Sequence, residues 1–288
     1  MKNILVTGGN GQLGNELKKL SKNYGRFSFV FTDVEELDIT KSKEVSDFFK
    51  SNKFDYVINC ASYTAVDKAE SEPELARKIN AEAVKILAEA CNRHGCAMIH
   101  ISTDFVFNGK NYKPYVESDK PDPLSVYADS KFTGEELFLD NIDNGMIIRT
   151  SWLYSEFGAN FVKTIMKHAK DKDSLNVVFD QTGTPTHAFD LADAIMKIIS
   201  SGSKIRGRDI YHYSNEGVAS WYDFAVAVVE LAGIQCDIKP IEAKDFPLPA
   251  ERPHYSVMNK AKVKKDFGLV IPYWRISLNE CIKRIVEL

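Results

Sequence analysis

No run of this chain is long and apolar enough to cross a bilayer, and no lysine/arginine block gives it a basic face. The net charge is −3, without the electrostatic footprint of a nucleic-acid partner or a membrane anchor. Cysteine is scarce. The five cysteines, Cys60, Cys91, Cys96, Cys236 and Cys281, are odd in number and contain no CxxC pair. They read as small apolar side chains of a reduced, cytoplasmic protein rather than as a disulfide framework. The six histidines show no metal-ligand spacing, and no metal is expected. Internal repeats and low-complexity tracts are missing too. The apolar stretch near the start, Ile4 to Val6, is too short for a signal peptide.

What is present is an ordinary globular composition, 44% hydrophobic and 27% charged over 288 residues, enough for one large domain or two modest ones. Short apolar runs (NILVTG, FSFVFTD, FDYVINCA, AMIHISTD, GMIIRTSW) alternate with helical patterns, the longest being PELARKINAEAVKILAEACNRHG, which ends at Gly95. Strands apolar on both faces, separated by helices, imply an α/β protein with a doubly wound, Rossmann-like parallel sheet covered on both sides. The expected division is a dinucleotide-binding domain over 1–149, rejoined by a segment near 175–195, and a smaller substrate-binding portion over 150–288. In the second half, SWYDFAVAVVELAG reads as a helix capped by Ser220, DFPLPAERPHYS as an extended loop, and WRISLNECIKRIVEL as a closing helix.

Gly8, Gly11 and Gly14 in TGGNGQLG follow the first strand and open the first helix. Such a turn lets a pyrophosphate approach the backbone and the helix N-terminus. Asp33 ends the second strand, where an acid can hydrogen-bond the adenosine ribose hydroxyls. It would repel a 2′-phosphate, whereas Arg26 or Lys53 would offset that, so NADH and NADPH both stay open.

In VYADSK, Tyr127 and Lys131 are spaced i, i+4 and share one side of a helix. A nearby ammonium favours the phenolate and lowers the phenol's pKa, making a general acid of Tyr127. Ser102, Thr103 and Asp104 lie at a strand C-terminus, where open α/β sheets bind ligands. Thr103 can hydrogen-bond the carbonyl that Tyr127 would protonate.

The glycine turn, the hydroxyl-bearing strand end and YxxxK together resemble the short-chain dehydrogenase/reductase superfamily, and the chain length resembles its extended branch. GQLG, SYTAVDKAE, STDFVFNG, VYADSK, RTSWLY and DQTGTPT, in this order, are similar to the dTDP-4-dehydrorhamnose reductase family over most of the chain. The resemblance implies reduction of the 4-keto group of dTDP-4-dehydro-β-L-rhamnose by NADH or NADPH. It implies that Gly11, Gln12 and Leu13 bracket the pyrophosphate, that Asp33 reaches the ribose, and that Asp38 and Ile39 lie beside the adenine. Ala61, Ser62, Tyr63 and Thr64 would line the dinucleotide, and Lys131 would also hold the nicotinamide ribose. Thr103, Asp104 and Trp152 would contact the sugar, and Arg252 is a candidate clamp for the substrate diphosphate.

Two departures stand out. Ala128 follows the tyrosine where the family often has glycine. Some members dimerise through a magnesium site built from glutamates, which leaves a homodimer open; Glu16 matches one ligand, but Phe189 stands where another would be sought. Other residues have plainer readings: His100 as a core histidine, Trp221 and Tyr222 as packing, and Asp67, Lys68 and Glu70 as a local polar network. His187 and His254 receive no role. The rival functions are another nucleotide-sugar reductase, epimerase or dehydratase, and a non-catalytic subunit similar to the regulatory subunit of methionine adenosyltransferase.

Overall fold

The computed structural model describes residues 1–201, 205 and 207–287. Strand β1 (Lys2–Thr7) leads into α1 (Gln12–Ser21), β2 (Phe27–Thr32), α2 (Ser42–Ser51), β3 (Tyr56–Asn59), α3 (Ala83–His94), β4 (Ala97–Thr103), α4 (Val126–Asn141) and β5 (Asn144–Thr150). Then come α5 (Phe161–Asp171), α6 (Ala188–Ser200), β6 (Gly207–His212), α7 (Trp221–Leu231) and α8 (Trp274–Glu287). Among the described residues, β1 to β6 form one parallel sheet in the order β6-β5-β4-β3-β1-β2. The chain winds outward from β1 to β2, then restarts on the other side of β1 with β3. That reversal opens a crevice at the strand C-termini between β1 and β3.

Alternation along each strand builds two cores. Ile4, Val6, Ile58, Ile99 and Ile148 face Leu13 and Leu17 of α1 and Leu191, Ile195 and Ile199 of α6. Leu5, Val57, Met98 and Ile147 project the other way, onto Val45 and Phe49 of α2, Leu87 of α3 and Phe138 of α4. Each such side chain contributes about 1.5–3 kcal/mol on burial. A third core, with Tyr154, Val162, Phe224, Val228 and Leu278, joins α5, α7 and α8.

One expectation is corrected. The strand around Val177, Ser174–Val178, does not rejoin the main sheet; it pairs in parallel with Asp237–Ile241. Its side chains are buried on one face only, at Val177, whereas an interior parallel strand must be covered on both. The segment that returns to the first half is α6, which packs on α1, and the sixth sheet strand is β6. The long helix before β4 is present as expected, unbroken from Pro73 to His94, but not regular α throughout. Pro73–Arg77 is followed by a π-helical stretch, Lys78–Glu82, before α3. α3 does stop at Gly95, which takes φ +70°, a conformation that costs glycine little.

Candidate active site

The crevice is a cavity of about 1070 Å³, lined by the ends of β1, β2, β3, β4 and β5 and by the starts of α1 and α4. It lies at the upper end of ligand-pocket sizes. All the expected site residues line it except Tyr63.

At one end lies the glycine turn. Gly8 takes φ +66°, and a Cβ there would fall 2.6 Å from the Ala61 nitrogen. A Cβ on Gly14 would fall 2.4 Å from the Gly8 carbonyl oxygen. These contacts are with backbone, so only glycine lets the turn, β3 and α1 come this close. Gly11 caps α1 with no side-chain hydrogen bond, which leaves the first N–H groups of the helix open to an anion. The Asp33 carboxylate accepts from the Asn10 nitrogen at 3.0 Å and from the Val34 nitrogen at 2.9 Å, so it is fixed above the turn. Arg26 and Lys53 do not offset it. Arg26 precedes β2 and donates to the Ser200 carbonyl, and Lys53 precedes β3, its carbonyl taking the Asn3 amide; both lie at the N-terminal end of the strands, opposite the end that carries Asp33. Asp38 is held by the Thr40 hydroxyl at 2.7 Å and the Thr40 nitrogen at 3.0 Å. This donor set fits a dinucleotide: a cradle that only glycine permits, free helix N–H groups, and a fixed hydroxyl acceptor.

Ala61, Ser62 and Thr64 face the cavity after β3, while the Tyr63 hydroxyl turns away to Glu72 at 2.7 Å. This loop is shaped by Asn80, which sequence reasoning missed. The Asn80 side-chain oxygen accepts from the Ser62 hydroxyl and the Tyr63 nitrogen, both at 2.8 Å. Its amide donates to the Tyr63 carbonyl and to Ser130 Oγ, both at 3.0 Å. The Ser130 hydroxyl in turn donates to the Tyr127 carbonyl at 2.8 Å. Asn80 therefore ties the loop after β3 to α4, and it sits in the π-helical stretch. Such interruptions often mark functional positions.

At the centre, Ser125 caps α4 and delivers Tyr127 beside Thr103 and Asp104. Burial pushes the Tyr127 phenol up to about 12; the Thr103 hydroxyl pulls it down and the Asp104 charge adds to the rise. The expected lowering by Lys131 is not seen. The Lys131 ammonium donates to the Ile101 carbonyl at 2.6 Å, beneath the helix, and burial brings its own pKa down to about 8. Asp104 is buried and raised to about 7, with Ser256 and Thr103 hydrogen bonds and backbone N–H groups opposing the shift.

At the far end, Trp152 takes φ +47°, alone among the described non-glycine residues in having positive φ. Its ring lies on that of Trp221, centroids 3.6 Å apart and 6° from parallel, and over Gly183, where a Cβ would come within 2.7 Å of the indole. Trp221 lines the cavity, so it is more than the packing residue that its place at a helix start suggested. Arg252 is gripped by Asp67 through two bonds, 3.0 and 2.7 Å, and donates to the Ala250 carbonyl at 2.8 Å. Asp67 thus belongs to a contact spanning 185 positions, not to a purely local network. Glu70 also reaches out of its loop, accepting from the Val126 nitrogen at the start of α4.

Outside the cavity, Glu16 is buried and raised to about 7, by desolvation and by Glu156, against the pull of Arg284 and Lys19. His187 Nε2 lies 3.9 Å from it. Phe189 carries the Arg284 guanidinium over its ring at 4.4 Å. Among the described residues no group of three His, Cys, Asp or Glu side chains is placed to hold a metal ion, and no helix is long and apolar enough to cross a membrane.

Comparison with known proteins follows the same lines. Residues 1–287 match the family model of the RmlD substrate binding domain. A dTDP-4-dehydrorhamnose reductase of Aggregatibacter actinomycetemcomitans is 40% identical over 287 residues, covering 96% of this chain and 97% of the relative. The crystal structure of a dTDP-4-dehydrorhamnose reductase from Clostridium acetobutylicum superposes with a TM-score of 0.94 at 40% identity, covering 99% of this chain and 100% of that one. The Bacillus anthracis dTDP-4-dehydrorhamnose reductase, solved in complex with NADP, gives 0.94 at 35% identity with the same coverage. The match spans nearly the whole chain, and this chain belongs to the RmlD substrate binding domain family, that of the dTDP-4-dehydrorhamnose reductases.

Proposed function

We propose that this protein reduces the 4-keto group of dTDP-4-dehydro-β-L-rhamnose to give dTDP-β-L-rhamnose, with NADH or NADPH as reductant. One observation carries the reading: a single cavity runs from Asp33 and the glycine turn, past Thr103 and Tyr127, to Trp152 and Arg252. In this reading residues 1–149 bind the cofactor and 150–288 bind the nucleotide sugar. The unpaired cysteines support a reducing, cytoplasmic setting.

The reduced nicotinamide, when bound, supplies the hydride. The chain's own residues do the rest. The glycine turn and the α1 N-terminus hold the cofactor pyrophosphate, and Asp33 accepts from the ribose hydroxyls. Thr103 and Tyr127 hydrogen-bond the sugar carbonyl from one side. Tyr127 gives its proton to the oxygen as C4 becomes tetrahedral, balancing the hydride with one proton. The Lys131 ammonium, 2.6 Å from the Ile101 carbonyl, keeps positive charge below the helix that carries Tyr127. Trp152, held between Trp221 and Gly183, bounds the sugar end of the cavity, and Arg252, aimed by Asp67, holds the diphosphate and fixes orientation.

The test is oxidation of NADH and of NADPH followed by absorbance with dTDP-4-dehydro-β-L-rhamnose added. Sugar-dependent oxidation with one equivalent of dTDP-rhamnose formed is expected. A folded protein that binds the cofactor and turns over no sugar overturns the substrate assignment.

A further inference from the structure

We infer that Glu135 is a positioning residue of this site: it keeps the Lys131 side chain charged, and Arg149 holds Glu135 in the place from which it does so. The inference rests on the proposed reading for what Lys131 is used for, but its geometry stands apart from that reading.

Tyr127, Lys131 and Glu135 follow one another at i, i+4 and i+8, so they form one stripe along α4. Lys131, Glu135 and Arg149 are 2%, 1% and 2% exposed. Two cations and one carboxylate are therefore buried together, an arrangement that costs stability unless each charge is answered. Arg149, from β5, grips the carboxylate. Its Nε lies 2.9 and 3.2 Å from the two oxygens, and Nη2 lies 2.6 Å from Oε2. The guanidinium rests 5.1 Å over the Phe107 ring, and its charge is felt at His212. The carboxylate is felt at Lys131, one helical turn back. The pair is neutral as a whole but polar in arrangement, with its negative end toward Lys131.

Among the described residues, no other carboxylate acts on Lys131. The other groups that face it are Cys60 from the end of β3 and His100 from β4. Burial pushes the Cys60 thiol up and the His100 imidazole down, so both are neutral at physiological pH. His100 Nδ1 also accepts from the Asn59 side-chain amide at 3.1 Å. Tyr127, one turn earlier, stays a neutral phenol. Desolvation already brings Lys131 to about 8 with Glu135 in place. Without that carboxylate the ammonium would lose its proton inside the working range.

The test is direct titration of Lys131 by NMR in protein carrying ¹³C-labelled lysine, the ε-carbon signal being assigned by its loss in Lys131→Arg. It needs no sugar. Glu135→Gln keeps an oxygen for Arg149 and removes the charge; the Lys131 midpoint is expected to fall by about one pH unit. Glu135→Asp keeps the charge and is expected to restore most of it. The alkaline limb of kcat should move the same way, so Glu135→Gln loses activity at high pH while the two variants remain comparable near pH 6. If Glu135→Gln fails to fold, the double variant Glu135→Met/Arg149→Met removes both charges without leaving one buried alone, and the same fall is expected. A Lys131 midpoint that moves by less than about 0.3 unit in a folded variant overturns the inference. Failure of the reductase reading would show separately, as a wild type that titrates as described but reduces no sugar.

Discussion

The Lys131 ammonium donates to the backbone carbonyl of Ile101 at 2.6 Å. Ile101 lies two residues before Thr103 on β4, so this bond sets the register of α4, which carries Tyr127, against the strand that carries Thr103. Lys131 is then a strut as well as a charge. Replacing it with methionine removes both, and is expected to weaken NADH binding and turnover together, whereas Lys131→Arg should retain part of each. Fluorescence titration with NADH beside a turnover assay separates the two effects.

Gly134 lies against the π-helical stretch. A Cβ there would fall 2.0 Å from the Asn80 carbonyl oxygen, a backbone atom that cannot swing away. Gly134→Ala is therefore expected to destabilise the fold by at least about 1–3 kcal/mol, despite alanine's better helix propensity. Denaturant unfolding reads that loss. The displaced Asn80 should also raise the KM for the cofactor, because Asn80 holds the 62–63 loop. A variant as stable as wild type would mean that the two helices simply separate.

Asp33 is fixed by two backbone N–H groups, and the cations lining the cavity, Lys78, Lys131 and Arg252, are not beside it in the chain. We predict tighter binding of NADH than of NADPH. Asp33→Asn should narrow the gap, by about tenfold or more, since it removes a charge facing the 2′-phosphate. Equal affinity in the wild type would show that a cation reaches the phosphate when it binds.

Arg252 and Asp67 form a pair whose loss should be felt by the nucleotide sugar alone. Arg252→Ala is expected to raise the KM for the sugar by about tenfold or more and to leave NADH affinity unchanged. Asp67→Asn should give a smaller rise, since Arg252 keeps its bond to the Ala250 carbonyl. A loss confined to NADH binding would move Arg252 to the other end of the cavity.

Glu16 is raised in the folded state from 4.5 to about 7. The folded protein therefore holds this proton more tightly than the unfolded chain does. The stabilisation is complete below about pH 4.5 and is lost as pH rises through 7, up to about 3 kcal/mol in all. His187, lowered to about 3 chiefly by burial, acts the opposite way, losing stability as pH falls below its unfolded value. The difference between wild type and Glu16→Gln isolates the carboxylate. Thermal melts from pH 5 to 8 should fall more steeply in the wild type, and parallel curves would contradict the shift.

The sequence revealed the cofactor turn because its demands are local: Gly8 and Gly14 are needed for contacts within one βα unit and its neighbouring strand. Tyr127 and Lys131 were legible as one face of a helix for the same reason. What Lys131 touches was not, since the Ile101 carbonyl belongs to a strand whose register the helix pattern does not encode. Asn80 was hidden inside an apolar helical repeat that reads as continuous. The Asp67 to Arg252 pair spans most of the chain, and neither residue's neighbours announce the other. The strand at Ser174–Val178 and β6 are both short and only partly covered, so composition could not say which joins the main sheet.

The central claim is that Tyr127 supplies the proton to the reduced carbonyl. The most direct measurement is the turnover of Tyr127→Phe with dTDP-4-dehydro-β-L-rhamnose, with NADH affinity determined on the same preparation. The account predicts a fall in kcat of about 10²–10⁴-fold, with the NADH dissociation constant within about twofold of wild type. Near-full turnover in a folded Tyr127→Phe protein would contradict it and pass the acid's role to another group in the cavity, Asp104 first.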